Sequence, residues 1–143
     1  MYRHILVATD GSPFSASAVR AAAALAKALG AKLTGLHVVA PSAPTYARRS
    51  LANFQGYERE LRKERQHALD FIGSEAKAQG MKAALASSVG GEPWRAILNT
   101  AKKRKCDLIV MASHGRSGLE GLLLGSETNK VLTHAGIPVL VCR

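Results

Sequence analysis

The alternation between short apolar runs and amphipathic helical segments is the feature of this sequence that most restricts its fold. The apolar runs are predicted to be strands near residues 5–8, 33–39, 82–89, 107–111 and 137–142. A helical pattern separates each run from the next, which is typical of βαβ units and of a parallel sheet covered on both faces. We therefore predict a three-layer α/β fold, in which helices cover both faces of an open, twisted, five-stranded parallel sheet.

Local signals mark where the predicted helices begin and end. Ser12 and Ser126 are predicted N-caps, and Pro13 suits the first turn of a helix because its missing N–H has no partner there. Gly30 and Gly80 follow the helical patterns that start near residues 12 and 51, and they are predicted to end them.

Length and composition favour one compact domain over residues 1–143, with 47% hydrophobic and 21% charged residues. No apolar run approaches the roughly 20 residues of a membrane-spanning helix, and the first residues do not resemble a signal peptide. We therefore expect a cytoplasmic protein with no membrane partner. Cys106 and Cys142 lack the spacing of a zinc site, and no metal site is expected.

The net charge of +10 favours binding to polyanions, which include nucleotides, nucleic acids and acidic membranes. Basic runs at 59–65 and 102–105 lie in predicted helices, and no aromatic platform accompanies them. We interpret both as solvated helix faces and expect no nucleic-acid partner.

Two segments are candidates for function, and each follows a strand. The first is Ala8–Ser12, and the second is the glycine-rich stretch Met111–Thr128. In an open α/β sheet, ligands bind outside the carboxyl ends of the strands where the strand order reverses. If strands one and four are neighbours, Asp10 would lie near the sugar or base of a mononucleotide. Glycines and helix N–H groups of the second segment would then surround its phosphates.

Plain structural roles remain alternatives for both segments. Asp10-Gly11 also suits a simple turn, and the second segment also suits a connection before a capped helix. Neither a GxxxxGK[ST] P-loop nor a GxGxxG dinucleotide fingerprint is present.

Three motifs together resemble the universal stress protein family over essentially the whole chain. They are Ala-Thr-Asp-Gly-Ser at 8–12, Leu-His-Val-Val at 36–39, and Ser-His-Gly-Arg-Ser-Gly at 113–118 followed by Leu-Leu-Leu-Gly-Ser at 122–126. The resemblance implies strand order 3-2-1-4-5 in a Rossmann-like, adenine nucleotide alpha hydrolase-like fold. It also implies a homodimer, and the exposed apolar edge at 138–142 is the segment that we expect to pair across its two-fold axis.

In one subgroup of that family, the pattern Gly, two residues, Gly, nine residues, Gly, then Ser or Thr forms an ATP site. Gly115 matches the second glycine, and Gly125-Ser126 matches the end of the pattern. The resemblance implies ATP, ADP or AMP as ligand, with Mg²⁺ as a candidate companion. The candidate contacts are Ala8, Thr9, Asp10 and Val38 at the base and ribose, Met111 and Ala112 beside the nucleotide, and Gly115, Arg116, Gly125, Ser126, Glu127 and Thr128 around the phosphates.

Two positions depart from the pattern. Ala112 stands where the first glycine is expected, and its methyl group could crowd the ligand or restrict the backbone. Glu127 would repel a triphosphate arriving at the same helix start, unless Mg²⁺ or Arg116 offset its charge.

The leading hypothesis is a stress-response protein that binds an adenine nucleotide as a regulatory ligand, with little or no catalysis. His114 has no recognisable orienting carboxylate or nucleophile partner, so at most slow ATP hydrolysis is expected and no catalytic residue is assigned. The alternative is a homodimeric interaction protein of the same fold whose pocket binds no nucleotide.

Overall fold

A single parallel sheet of five strands forms the centre of the computed structural model, which describes residues 1–39, 45–115 and 124–143. The strand order is β3-β2-β1-β4-β5, and every neighbouring pair is parallel. This confirms the predicted fold class and the order implied by the resemblance. The strands are β1 His4–Thr9, β2 Lys32–Val39, β3 Ala83–Val89, β4 Leu108–Ala112 and β5 Val139–Cys142.

Four α-helices connect the strands and cover the sheet. They are α1 Ala16–Leu29, α2 Leu51–Ala78, α3 Pro93–Arg104 and α4 Ser126–His134. Short 3₁₀ turns at Pro13–Ser15 and Thr45–Arg48 precede α1 and α2. Gly30 and Gly80 have φ values of 64° and 70°, so the left-handed helix ends predicted for them are confirmed. No helix in the described part of the chain is long and apolar enough to cross a membrane.

The two predicted serine caps have different outcomes. Ser12 occupies the cap position of the 3₁₀ turn Pro13–Ser15 that precedes α1, with Pro13 in its first turn, but its hydroxyl makes no cap bond. The prediction for Ser126 is wrong, because Ser126 is already the first helical residue of α4 and Gly125 occupies the cap position. A glycine has no side chain with which to cap a helix.

Alternate residues of β1 pack into two separate cores. Ile5 and Val7 lie in the core beneath α1 and α2, whereas Leu6 and Ala8 lie in the core beneath α3 and α4. This alternation follows from the two-residue period of a strand, and burial on both faces explains why β1 reads as a continuous apolar run. Both layers are therefore fixed to the same central strand.

Asp107 joins the start of β4 to the start of β1. Its two carboxylate oxygens accept the backbone N–H groups of Arg3 and His4 at 2.8 and 2.9 Å. Burial acts to raise the pKa of Asp107, but these backbone hydrogen bonds outweigh it and hold the pKa below its usual range. The ionised carboxylate therefore stabilises the folded chain.

We expect Asp107→Asn to lower the stability at neutral pH by on the order of 1 kcal/mol, because the amide replaces one acceptor by a donor. The native pKa lies below the unfolded value of about 3.9, so the carboxylate contributes fully above that pH and loses its contribution as the pH falls through the native pKa. Thermal melts between pH 3 and pH 7 would show the gap between parent and variant closing under acid conditions. A gap that stays constant with pH would contradict this account.

Candidate functional site

The carboxyl ends of β1 and β4 lie side by side at the point where the strand order reverses. The two strands pair in parallel, with Ile5 opposite Leu108 and Val7 opposite Val110. The chain that follows each strand therefore leaves at the same edge of the sheet. This is the position at which open α/β sheets bind ligands, as the sequence predicted.

Asp10 and Gly115 bring the two predicted segments into contact. A Cβ atom placed on Gly115 would lie 2.6 Å from Asp10 Oδ2, which is closer than a carbon and an oxygen can approach without a shift. A methyl group at 115 would therefore require the Asp10 carboxylate or the backbone at 115 to shift, and the φ of Gly115 is not positive.

Short-range hydrogen bonds orient the Asp10 carboxylate. Its Oδ1 accepts the backbone N–H of Ser12 at 2.9 Å and the Ser15 hydroxyl at 3.4 Å. Ser15 also pairs with Thr9 Oγ1 at 2.6 Å, and Thr9 Oγ1 accepts the N–H of Gly11. These hydrogen bonds link the Asp10 carboxylate to the turn that follows β1. Ser15 was not predicted as part of the site, because only the 3₁₀ turn brings its side chain back toward the end of β1.

The start of α4 is fixed to the end of β4 by two hydrogen bonds. The N–H of Gly125 donates to the carbonyl of Ser113 at 2.7 Å, and the Thr128 hydroxyl donates to the carbonyl of Ala112 at 2.9 Å. The glycine-rich loop is therefore closed at its base, although residues 116–123, including the predicted contact Arg116, lie outside the described residues. Thr128 is 3% exposed, so its predicted role at the phosphates would fall to its N–H.

The backbone N–H groups of residues 126–128 are the clearest anion-binding feature at this edge. No side chain in the described part of the chain caps α4, and the first N–H groups of this helix carry the positive end of the helix dipole. An anionic group at this helix start would receive both the dipole and the hydrogen bonds.

Glu127 points toward α3. Its Oε2 accepts the N–H of Trp94 at 2.8 Å in the first turn of α3, and its Oε1 lies 3.6 Å from Lys130 Nζ. The sequence predicted this carboxylate as a source of repulsion for phosphates. In the structure this carboxylate instead interacts with the N-terminus of α3 and with Lys130.

We expect Glu127→Ala to cost about 1 kcal/mol of folding stability, because Trp94 then loses its acceptor. Glu127→Gln keeps an acceptor oxygen and should cost less. Thermal melts would measure the loss of stability. Trp94 is the single tryptophan, so its fluorescence reports changes at the contact between α3 and α4. Equal losses for both variants would show that the hydrogen bond contributes nothing.

The Ala112 methyl group lies away from the cleft. Ala112 belongs to the core beneath α1, together with Val110, and is 7% exposed. Its φ is not positive, so alanine is accommodated without strain. The two objections that the sequence raised against this position therefore do not hold in the structure.

The remaining predicted contacts differ in exposure. Backbone at the ends of β1, β2 and β4 can line the cleft through Ala8, Thr9, Val38 and Met111, whose side chains are buried. Ser126 is exposed at the first turn of α4. His114 Nδ1 lies 3.1 Å from the hydroxyl of its neighbour Ser113. No group of three potential metal ligands occurs among the described residues.

The model of the universal stress protein family matches residues 1–143. The chain belongs to the universal stress protein family. Universal stress protein YxiE of Bacillus subtilis is 38% identical over an alignment covering 100% of both chains. Universal stress protein MJ0531 of Methanocaldococcus jannaschii is 34% identical, covering 100% of this chain and 83% of its own.

A solved structure of a universal stress protein has the same fold. The crystal structure of a universal stress protein in complex with cAMP aligns with a TM-score of 0.70 and 31% identity, covering 99% of this chain and 97% of that one. The family resemblance noted in the sequence is therefore confirmed over the whole chain. Nucleotide binding occurs on this fold in a relative of similar length.

Proposed function

We propose that this universal stress protein binds an adenine nucleotide, with ATP as the leading candidate, at the carboxyl edge of β1 and β4. The observation that carries the proposal is the close approach of Asp10 to Gly115 beside the uncapped start of α4. One side offers a fixed carboxylate for ribose hydroxyls, and the other offers backbone N–H groups for phosphates.

The described contacts fit such a ligand. A carboxylate held by Ser12 and Ser15 stays ordered without a ligand, so less conformational entropy is lost on binding. The cAMP complex of a relative at 31% identity supports an adenine nucleotide as the class of ligand. Mg²⁺ would bind between phosphate oxygens and so reduce the repulsion between a triphosphate and Glu127.

The role proposed for the nucleotide is regulatory, with little or no turnover. A hydrolase needs a group that activates water or a nucleophile at the phosphate, and the sequence around His114 matches no known catalytic motif. We propose that the bound nucleotide regulates the protein in a stress response, in the cytoplasm, where the free thiols of Cys106 and Cys142 would stay reduced.

Calorimetric titration of nucleotide-stripped protein with ATP, ADP and AMP tests the proposal. We expect one site per chain. Glu127→Gln should raise the affinity for ATP more than that for AMP, because the added phosphates carry the charge that Glu127 repels. The matched variant Glu64→Gln removes the same charge from α2 and should leave the ratio unchanged. Absence of heat and of any thermal shift at millimolar nucleotide would overturn the proposal.

The structure also supports dimerisation through β5. This strand is an edge of the sheet, and Leu140 in its centre is 41% exposed. An apolar edge strand that pairs with its own copy removes an aggregation hazard. We propose a homodimer through residues 138–142, which Leu140→Lys would shift to monomer in analytical ultracentrifugation. If the parent dimerises but fails the calorimetric test, the alternative of an interaction protein without nucleotide is favoured.

A further inference from the structure

A second concentration of positive charge lies at the opposite edge of the sheet, near the amino ends of β1, β2 and β3. An open cavity of about 380 Å³ is bounded there by Lys32, Lys82 and Arg104. Its wall also contains His4, whose Nε2 lies 2.8 Å from the buried Thr34 hydroxyl. The candidate nucleotide site uses none of these residues.

Among the described residues, no acidic side chain lines this cavity. The rest of its wall is Ala31, Leu33, Met81 and Ala84. None of the three cationic side chains has an ion pair within the described ranges of the chain. Asp107 is the acid next to His4, and its carboxylate accepts the backbone N–H groups of Arg3 and His4. This carboxylate contributes one negative charge beside His4, and the three unpaired cations outnumber it.

The fold itself brings these charges together. Lys32 is the first residue of β2, Lys82 directly precedes β3, and Arg104 is the last residue of α3. Parallel strands start at one edge, so residues at their first positions are neighbours even though Lys32 and Lys82 are distant in sequence. All three are exposed, which keeps their charges available to a ligand.

We propose that this cavity is a second anion site, separate from the nucleotide site, which takes a compact oligophosphate. Three cations attract a ligand with several negative charges more strongly than they attract a ligand with a single carboxylate. Two lysines act as point charges, and the arginine adds a planar donor for phosphate oxygens. The volume falls within the range of about 300 to 1,000 Å³ that small-molecule pockets occupy.

Tripolyphosphate is the probe for this site, followed by amide shifts in ¹⁵N-labelled protein at low salt. We expect saturable shifts at Thr34 and Ala84, which line the cavity and carry no charge themselves. The double variant K32A/K82A should bind at least about tenfold more weakly at these resonances, because two of three facing charges are lost. Arg104→Ala alone should weaken binding by a smaller factor.

The matched control is K102A/K103A, which removes two exposed lysines from the end of the same helix without touching the cavity wall. It should leave the affinity at Thr34 and Ala84 within about threefold of the parent, since only the long-range field changes. Thermal melts verify that both double variants fold.

Three results would overturn the proposal. One is equal weakening by the two double variants, which would show attraction to net charge alone. Another is shifts confined to Asp10, Gly115 and residues 125–128, which would place the anion at the nucleotide edge. The third is tighter binding of a single-stranded oligonucleotide than of tripolyphosphate at the same resonances, which would indicate a nucleic-acid surface.

Discussion

Gly115→Ala is expected to weaken nucleotide binding by at least about tenfold, equivalent to about 1.4 kcal/mol. The added methyl carbon would lie 2.6 Å from Asp10 Oδ2. Movement of Asp10 has a cost, because the backbone N–H of Ser12 donates to its other oxygen at 2.9 Å. Either the carboxylate leaves its network or the backbone at 115 moves away from the cleft. Calorimetry with ATP on the variant would measure the loss.

Gly73→Ala is the matched control for this substitution. It adds the same methyl group within α2, where the new carbon would meet nothing within 4 Å. We expect unchanged nucleotide affinity and a gain in stability of about 0.5 to 1 kcal/mol, since alanine favours a helix over glycine. If Gly115→Ala binds ATP as tightly as Gly73→Ala does, the contact with Asp10 is irrelevant to the ligand.

Gly35→Ala should destabilise the fold by about 1 to 3 kcal/mol, because it overpacks the interface between β2 and α2. A Cβ atom at 35 would lie 2.6 and 2.7 Å from Cγ2 and Cδ1 of Ile72. Ile72 is fully buried, so its side chain has no free space into which it can rotate. Urea denaturation would give the change in the free energy of unfolding.

A double variant separates this packing conflict from other effects of alanine at 35. Ile72→Ala alone should cost about 2 to 5 kcal/mol by leaving a cavity. In that background, Gly35→Ala fills part of the vacated space and should restore stability, giving a coupling of at least about 1 kcal/mol between the two sites. The same cost for Gly35→Ala in both backgrounds would contradict the packing argument.

The sequence was sufficient to predict the five described strands, and the bounds given for α1, α2 and the start of α4, to within a few residues. Each of these strands lies in an apolar run, and glycine or proline marks the ends of the helices, so local signals and tertiary structure agree. The last strand begins two residues later than predicted, at Val139, because Pro138 has no N–H to donate to a ladder. The 3₁₀ turn before α1, in which the N–H of Ser15 donates to the carbonyl of Ser12 at 3.1 Å, was not predicted.

The site was only partly predictable. The strand order implied by the family resemblance placed Asp10 and Gly115 at one edge, since parallel strands end together. The sequence pattern does not indicate which way the side chains of Glu127 and Ala112 point. Glu127 reaches Trp94 across 33 residues, and which core receives the Ala112 methyl depends on the register of β4. The Ala112 methyl therefore raises no objection to a ligand, whereas Glu127 keeps its charge near the start of α4 while it bonds to α3.

Amide shift mapping with ATP tests the central claim most directly, because it reports occupancy and location together. We predict that the largest shifts on ¹⁵N-labelled, nucleotide-stripped protein occur at Asp10, Val38, Gly115 and residues 125–128, and that they saturate at one equivalent per chain. Thr34 and Ala84 lie at the opposite edge, so their resonances report separately whether ATP also binds at the second site. No shift at the carboxyl edge of β1 and β4 with millimolar ATP would contradict the account.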